Sequence, residues 1–248
     1  MKSFPSVSTG IKGLDKVLGH LQTGDNVVLQ VDSIEDYQSF VTPFVREALA
    51  NNERVVYIRF AHHAPLLEET RKIAVYKLNP DAGFESFSTQ VHNIIRQEGR
   101  DVFYVFDSLS DLLLAWATDL MIGNFFVITC PYLFELNTVA YFAIIRGRHS
   151  FKTVARIRET TQVLLDVYGF EGKTCVHPLK CWQRYSPTMF LPHVREGEAF
   201  VPIMNSVEAT RLFAALADRS AVDAERHLDY WDRAFLKARD LAGDEAAV

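Results

Sequence analysis

The chain has only three cysteines, Cys130, Cys175 and Cys181, and none of them stands in a C-x-x-C pair. An odd number without that spacing excludes a disulfide framework and a zinc ribbon, and predicts reduced thiols in a cytoplasmic protein. Positive charge is not in excess either. The net charge of -5 gives no general attraction to nucleic acid or to an anionic membrane, so neither is expected as a partner, although a local basic patch remains open. Long hydrophobic runs are also missing. The most apolar stretch, "MIGNFFVITCPYLFEL" (121–136), is too short and too interrupted to span a bilayer. The start, "MKSFPSVSTGIKGLD", lacks the apolar core of a signal peptide. There is no G-x-S-x-G elbow around "YSPTMF", and His62, His63 and His149 fit no metal-ligand spacing, so no metal is expected. Basic residues do not interleave with aromatics as a nucleic-acid platform requires.

What is present is an alternation of strand-like and helix-like segments over the first two thirds. "NVVLQV" (26–31), "RVVYIRF" (54–60), "DVFYVFDSLSDL" (101–112) and "TVAYFAIIR" (138–146) are apolar runs suited to buried parallel strands. Between them, 40–52, 84–99 and 119–136 carry helical spacing, with Gly99 as a stop and Pro43 placed in a first turn. Shorter elements are predicted as a helix at 66–73, a strand at 75–80 and a helical turn or two at 152–159. Two hairpins follow, 160–182 turning near Gly169–Gly172 and 188–203 turning at Glu196-Gly197. Residues 206–242 are charged, rich in alanine and leucine, and helical in period, with a partial apolar stripe of Leu212, Leu216, Leu228, Trp231 and Phe235. The expected fold is α/β, a mainly parallel sheet with helices on both faces and an antiparallel extension over 1–203, followed by a helical appendage over 204–248.

The wording of the chain narrows this. "STGIKGLDKVLGHLQTGDNVVLQV" (8–31) resembles the lead-in of the RecA/KaiC-like ATPase family, in which S-T-G-I-x-G-L-D precedes the phosphate-loop strand. All of its specified positions match, at Ser8, Thr9, Gly10, Ile11, Gly13, Leu14 and Asp15. Asp107-Ser108-Leu109 after "VFYVF" is similar to the Walker B strand of that family. The resemblance spans roughly residues 6–203 and implies a RecA-like fold.

It also implies where the chemistry has gone. Without a gap, "DSIEDYQS" (32–39) falls on G-x-x-x-x-G-K-[ST], with Asp32 at the first glycine, Tyr37 at the second, Gln38 at the lysine and Ser39 at the hydroxyl. A phosphate loop needs glycines so that backbone N–H groups can turn inward, and a lysine charge on the β and γ oxygens. Here Tyr37 adds bulk, Gln38 removes the charge, and Asp32, Glu35 and Asp36 repel anions, each by about 1 kcal/mol or more. The F-E-E that ends the next strand in the family becomes Phe60-Ala61-His62, and its late K-x-R becomes Lys180-Cys181-Trp182. No catalytic residue and no ATP or magnesium cofactor is therefore expected. Several longer segments ("VYIRFAHH", "YVFDSLSDLL", "HPLKCWQRYSPTMF") resemble the N-terminal module of long bacterial phosphoenolpyruvate synthase/pyruvate phosphate dikinase-like proteins. That likeness implies an inactive regulatory or scaffolding module with a protein partner or a homo-oligomeric state.

Ligands of open α/β sheets collect at the carboxyl ends of the strands. There the sequence predicts Asp32, His62, His63, Asp107, Ser108, Arg146, Arg148 and His149, with Lys180, Arg184 and Tyr185 arriving from the hairpin. Two arrangements are compatible with this set. Arg146 and Arg148 can pair with Asp32, Glu35 or Asp107 and fill the pocket with salt bridges. Alternatively the basic groups bind a small anionic metabolite, which makes the protein a sensor, or hold nucleotide phosphates as an atypical NTPase.

Overall fold

The structure, a computed structural model, describes residues 5–116 and 118–217. The chain divides into two compact units, Met1–Ile203 and Met204–Val248. In the second, 206–217 is helical and Asn205 caps it by accepting from the Val207 N–H. The rest of the stretch predicted as helix, with Leu228, Trp231 and Phe235, lies outside the described residues.

The first unit opens with a small ribbon, β1 (Ser6–Val7) against β2 (Leu21–Gln22), around helix α1 (Lys12–Leu18). Then follow β3 (Asn26–Val31), α2 (Ile34–Ala50), β4 (Arg54–Arg59), β5 (Ile73–Lys77), α3 (Phe84–Glu98), β6 (Val102–Ser108), α4 (Leu120–Glu135), β7 (Val139–Ile145), α5 (Phe151–Thr160), β8 (Val163–Phe170), β9 (Lys173–Cys181), β10 (His193–Glu196) and β11 (Ala199–Pro202). Among the described residues, nine strands make one sheet in the order β11-β10-β9-β8-β3-β7-β6-β4-β5. The six from β3 to β8 are parallel and the last three return antiparallel. This is an α/β fold with a large mixed sheet of mostly parallel strands.

The strands are near-continuous apolar runs because both faces are covered. On one face α2 packs Tyr37, Phe40, Val41 and Phe44 onto Val27, Leu29, Tyr57 and Tyr141, with the Phe44 and Tyr141 rings stacked 4.0 Å apart. On the other face α3, α4 and α5 pack Phe87, Phe125, Phe126 and Ile157 onto Val28, Val56, Tyr104 and Phe142. Connections that run from β3 toward β5 lie on the first face, and those that run back toward β8 lie on the second, as a single crossover hand demands. Consequently β3 and β7, which are neighbours, send their chains to opposite sides, and a switch point forms between their carboxyl ends.

Three elements depart from the sequence reading. Residues 66–73 form no helix. Leu66 and Leu67 instead turn into the core beside α2 as a loop, and β5 begins at Ile73. The strand predicted over 101–112 stops at Ser108, and a 3₁₀ turn, Leu109–Leu114, follows under a cap from the Ser108 hydroxyl. Helix α2 starts at Ile34 rather than Phe40, which puts Pro43 inside the helix and not in its first turn.

The lead-in motif has a structural role. The Asp15 carboxylate, buried, accepts from the Ser8 hydroxyl, the Thr9 N–H and the Thr9 hydroxyl, each at 2.7 Å. Gly10 has φ +75°, and a Cβ there would lie 2.1 Å from the Pro43 carbonyl oxygen; one on Gly13 would lie 2.3 Å from that of Glu198. The motif thus clamps the N-terminal turn to α2 and to the β10–β11 hairpin. Asp15→Ala is expected to destabilise by about 2–4 kcal/mol, since three donors lose a charged acceptor. Urea denaturation measures this, and a loss under about 0.5 kcal/mol, the level of an ordinary surface substitution, would refute the clamp.

Candidate functional site

The stretch "DSIEDYQS" forms a tight turn and the start of a helix. Ser33 is the N-cap of α2. Its hydroxyl accepts from the Asp36 N–H at 3.2 Å, and the Asp36 carboxylate accepts from the Ser33 N–H at 3.0 Å. This capping box, with Glu35 and Asp36 at the positive end of the helix, makes helix the stable local structure where the alignment suggested a loop. The carboxylates that would repel phosphate here stabilise the helix terminus.

Three side-chain hydrogen bonds fix the rest of the stretch. Tyr37 is fully buried, and its hydroxyl donates to the Phe106 carbonyl at 3.0 Å. That carbonyl lies in a β-bulge, where the register between β6 and β7 shifts from Val105↔Tyr141 to Ser108↔Ala143. Gln38 donates to the Leu66 carbonyl at 3.0 Å and holds the β4–β5 loop to α2. Ser39 is exposed and bonds back to the Asp36 carbonyl of its own helix.

The bulge also aims Asp107 into the protein. Its carboxylate is fully buried and accepts from the Tyr57 hydroxyl at 2.5 Å and from the Phe60 and Ala61 N–H groups, both at 2.9 Å. The Tyr57 oxygen accepts in turn from the Leu66 N–H. Burial and the adjoining Asp107 push the Tyr57 phenol far above its usual range, which keeps it a neutral donor. His63 donates from Nδ1 to the Ala64 carbonyl at 2.7 Å, and its Nε2 stands 3.7 Å from Asp107. Asp107 is a hub that ties β4, β6 and the loop after β4 together. Ser108 is buried beside it and caps the 3₁₀ turn.

At the switch point Arg146 is saturated. Its Nε bonds Asp32 at 2.7 Å, one terminal nitrogen lies 2.6 Å from Asp166, and the other donates to the Val167 carbonyl at 2.9 Å. The guanidinium also sits 5.7 Å from the centre of the Tyr168 ring. Burial raises the Asp166 carboxyl above its ordinary range, and Arg146 opposes that rise. Of the partners the sequence offers Arg146, the structure uses Asp32 but not Glu35 or Asp107, and it adds Asp166.

His149 is not a cation. Its Nε2 is 2.7 Å from the Ser110 hydroxyl, whose oxygen also accepts from the Ile145 N–H at 2.8 Å. Burial, aided by Arg148 and opposed by Asp119, pushes His149 down to about 4. A neutral imidazole at physiological pH adds no charge to an anion site. His62 and Arg148 are exposed on this edge.

Lys180 and Arg184 lie elsewhere, which corrects their placement in the pocket. Strand β9 runs antiparallel to β8 with Val163 opposite Cys181, so the hairpin returns its end to the amino edge of the sheet. There Lys180 caps α5 by donating to the Arg158 and Glu159 carbonyls at 2.7 and 2.9 Å. Arg184 makes a two-pronged pair with Asp25 at 2.8 and 3.1 Å and also donates to the His20 carbonyl. Tyr185 is exposed beyond it.

The sequence reading missed Asp166, Tyr57, Ser110 and Asp25. A single carboxylate inside the apolar run "VLLDVY" was the available signal for Asp166, because a buried acid needs a cation. All three cysteines are buried, and burial pushes the thiols of Cys175 up to about 11 and Cys181 up to about 12, the range of unreactive thiols. Among the described residues, no helix is long and apolar enough to cross a membrane, and no three His, Cys, Asp or Glu are grouped to hold a metal ion. No protein-family model matches the chain, and no curated protein is similar to it.

Proposed function

We propose that this chain is a RecA/KaiC-like module that has lost nucleotide binding and acts through protein contact, as a regulatory or scaffolding unit of phosphoenolpyruvate synthase/pyruvate phosphate dikinase-type systems. The family and the association come from the resemblance of the lead-in and of the longer segments. One observation carries the loss of function: where a phosphate loop belongs, the chain makes a capped helical turn with Tyr37 buried in the core. Within that turn the Ser33 N–H goes to the Asp36 carboxylate and the Asp36 N–H to the Ser33 hydroxyl, and Asp32 faces Arg146. Asp107 accepts from two backbone N–H groups and a phenol, the donors that hold the loop after β4.

Titration calorimetry with ATP, ADP, phosphoenolpyruvate and pyruvate, with and without magnesium, tests this reading. No nucleotide heat is expected, and micromolar binding of any nucleotide would overturn it. The anion-sensor alternative has lost Arg146, Lys180 and Arg184 to internal partners and His149 to neutrality. It keeps Arg148 and His62 on the exposed edge, and saturable binding of phosphoenolpyruvate or pyruvate that Arg148→Gln abolishes would favour it.

A further inference from the structure

The carboxyl edge of the sheet has two unlike lips. On the face covered by α2, Asp32, Glu35 and Asp36 gather at the helix start, and Asp32 and Glu35 are exposed. On the face covered by α4 and α5 stand Leu114, 72% exposed, Phe151, 89% exposed, and Arg148, also exposed. The Arg148 guanidinium makes no hydrogen bond or ion pair among the described residues, although Asp111 is near enough to feel its charge. Phe151 begins α5, whose cap is supplied by Ser150, so the helix has no structural need for an aromatic there. Nor do these side chains sit on loose segments. Ser110 bonds both Ile145 and His149, and Asp119 accepts from the Ser150 N–H at 2.7 Å, which pins the loop after β6 to the loop after β7. An arginine beside exposed apolar side chains on pinned loops offers a contact surface with little ordering cost.

The occupant follows from the opposite lip. A rotation of 180° about an axis in the plane of the edge, parallel to the breadth of the sheet, brings two edges together and exchanges their faces. The acidic lip of each copy then meets the cationic and apolar lip of the other, twice over, as an isologous contact requires. We propose that two copies of this chain associate carboxyl edge to carboxyl edge, with Arg148 facing the partner's Glu35 and with Phe151 and Leu114 buried in the contact. The interface rests on the reading above in one respect, because an edge that must admit a nucleotide cannot be sealed by a second copy.

Sedimentation velocity on the full chain, from low concentration to about 0.2 mM, tests it directly. A reversible dimer that weakens with added salt is expected. Arg148→Glu should weaken it by more than about tenfold with little change in melting temperature, because the side chain is exposed. Glu35→Arg should weaken it as much while lowering the melting temperature by the small amount that a reversed charge at a helix start costs. Mixing these two variants should restore dimers, since each then offers what the other needs. Phe151→Ser should also dissociate the dimer. A wild-type chain that stays monomeric, a dimer indifferent to Arg148→Glu and Phe151→Ser, or variants that fail to re-pair on mixing would each overturn the interface. Nucleotide binding that competes with dimerisation would overturn the functional reading instead and leave the interface standing.

Discussion

Replacing Tyr37 by glycine and Gln38 by lysine, which restores the phosphate-loop residues at those positions, is expected to unfold the domain rather than to create a nucleotide site. Tyr37 is a buried aromatic, and removing such a side chain costs about 3–5 kcal/mol. Glycine inside a helix adds about 1 kcal/mol. The Phe106 carbonyl, at the bulge between β6 and β7, loses the Tyr37 donor, which costs about 1–3 kcal/mol more. These losses are not strictly additive, yet they rival the whole stability of a typical domain, about 5–15 kcal/mol. Tyr37→Phe isolates the hydroxyl and should cost about 1–2 kcal/mol while leaving the fold intact. Thermal and urea unfolding of the three chains, with ATP titrated into any that remain folded, gives the answer. A glycine–lysine variant that melts within a few degrees of the wild type would show that Tyr37 does not hold this region together.

That prediction also shows what the sequence could and could not disclose. The strands were legible because a parallel sheet covered on both faces writes itself as apolar runs, and "NVVLQV" and "TVAYFAIIR" are such runs. The start of α2 was equally written, as Ser33 followed by Asp36 with acids in the first turn, but the family alignment drew attention to a loop instead. Lys180 and Arg184 were misplaced for a different reason. Their position depends on the length and direction of the β8–β9 hairpin, and a return of one strand length carries a residue from one edge of the sheet to the other. Asp166 and Tyr57 could be found only as partners, because what defines them is the charge or carboxylate across the gap. Local chemistry was readable along the chain, whereas pairing across the sheet required the register.

Arg146→Ala tests that pairing and should rank next in damage after the Tyr37–Gln38 replacement. Two carboxylates lose their cation, and one of them, Asp166, is largely buried at 15% side-chain exposure. Breaking such a pair by removing one partner costs about 3–5 kcal/mol, because the remaining charge is left in a poorly solvating site. The cost should depend on pH in a defined direction. Burial already holds the Asp166 carboxyl above its ordinary 3.8. The folded chain therefore binds that proton more tightly than the unfolded chain, and this group favours folding most below 3.8 and progressively less as pH rises through the folded value. Without Arg146 the carboxyl rises further, so the variant should lose more stability than the wild type over that climb. The deficit should be largest near neutral pH and should shrink in acid. Arg146→Leu combined with Asp166→Asn removes both buried charges and should recover most of the loss, which separates an uncompensated charge from lost packing. Urea denaturation of the three chains between acid and neutral pH measures each quantity. A deficit that is the same at every pH would mean that Arg146 acts through its contacts with Val167 and Tyr168 rather than through the two carboxylates.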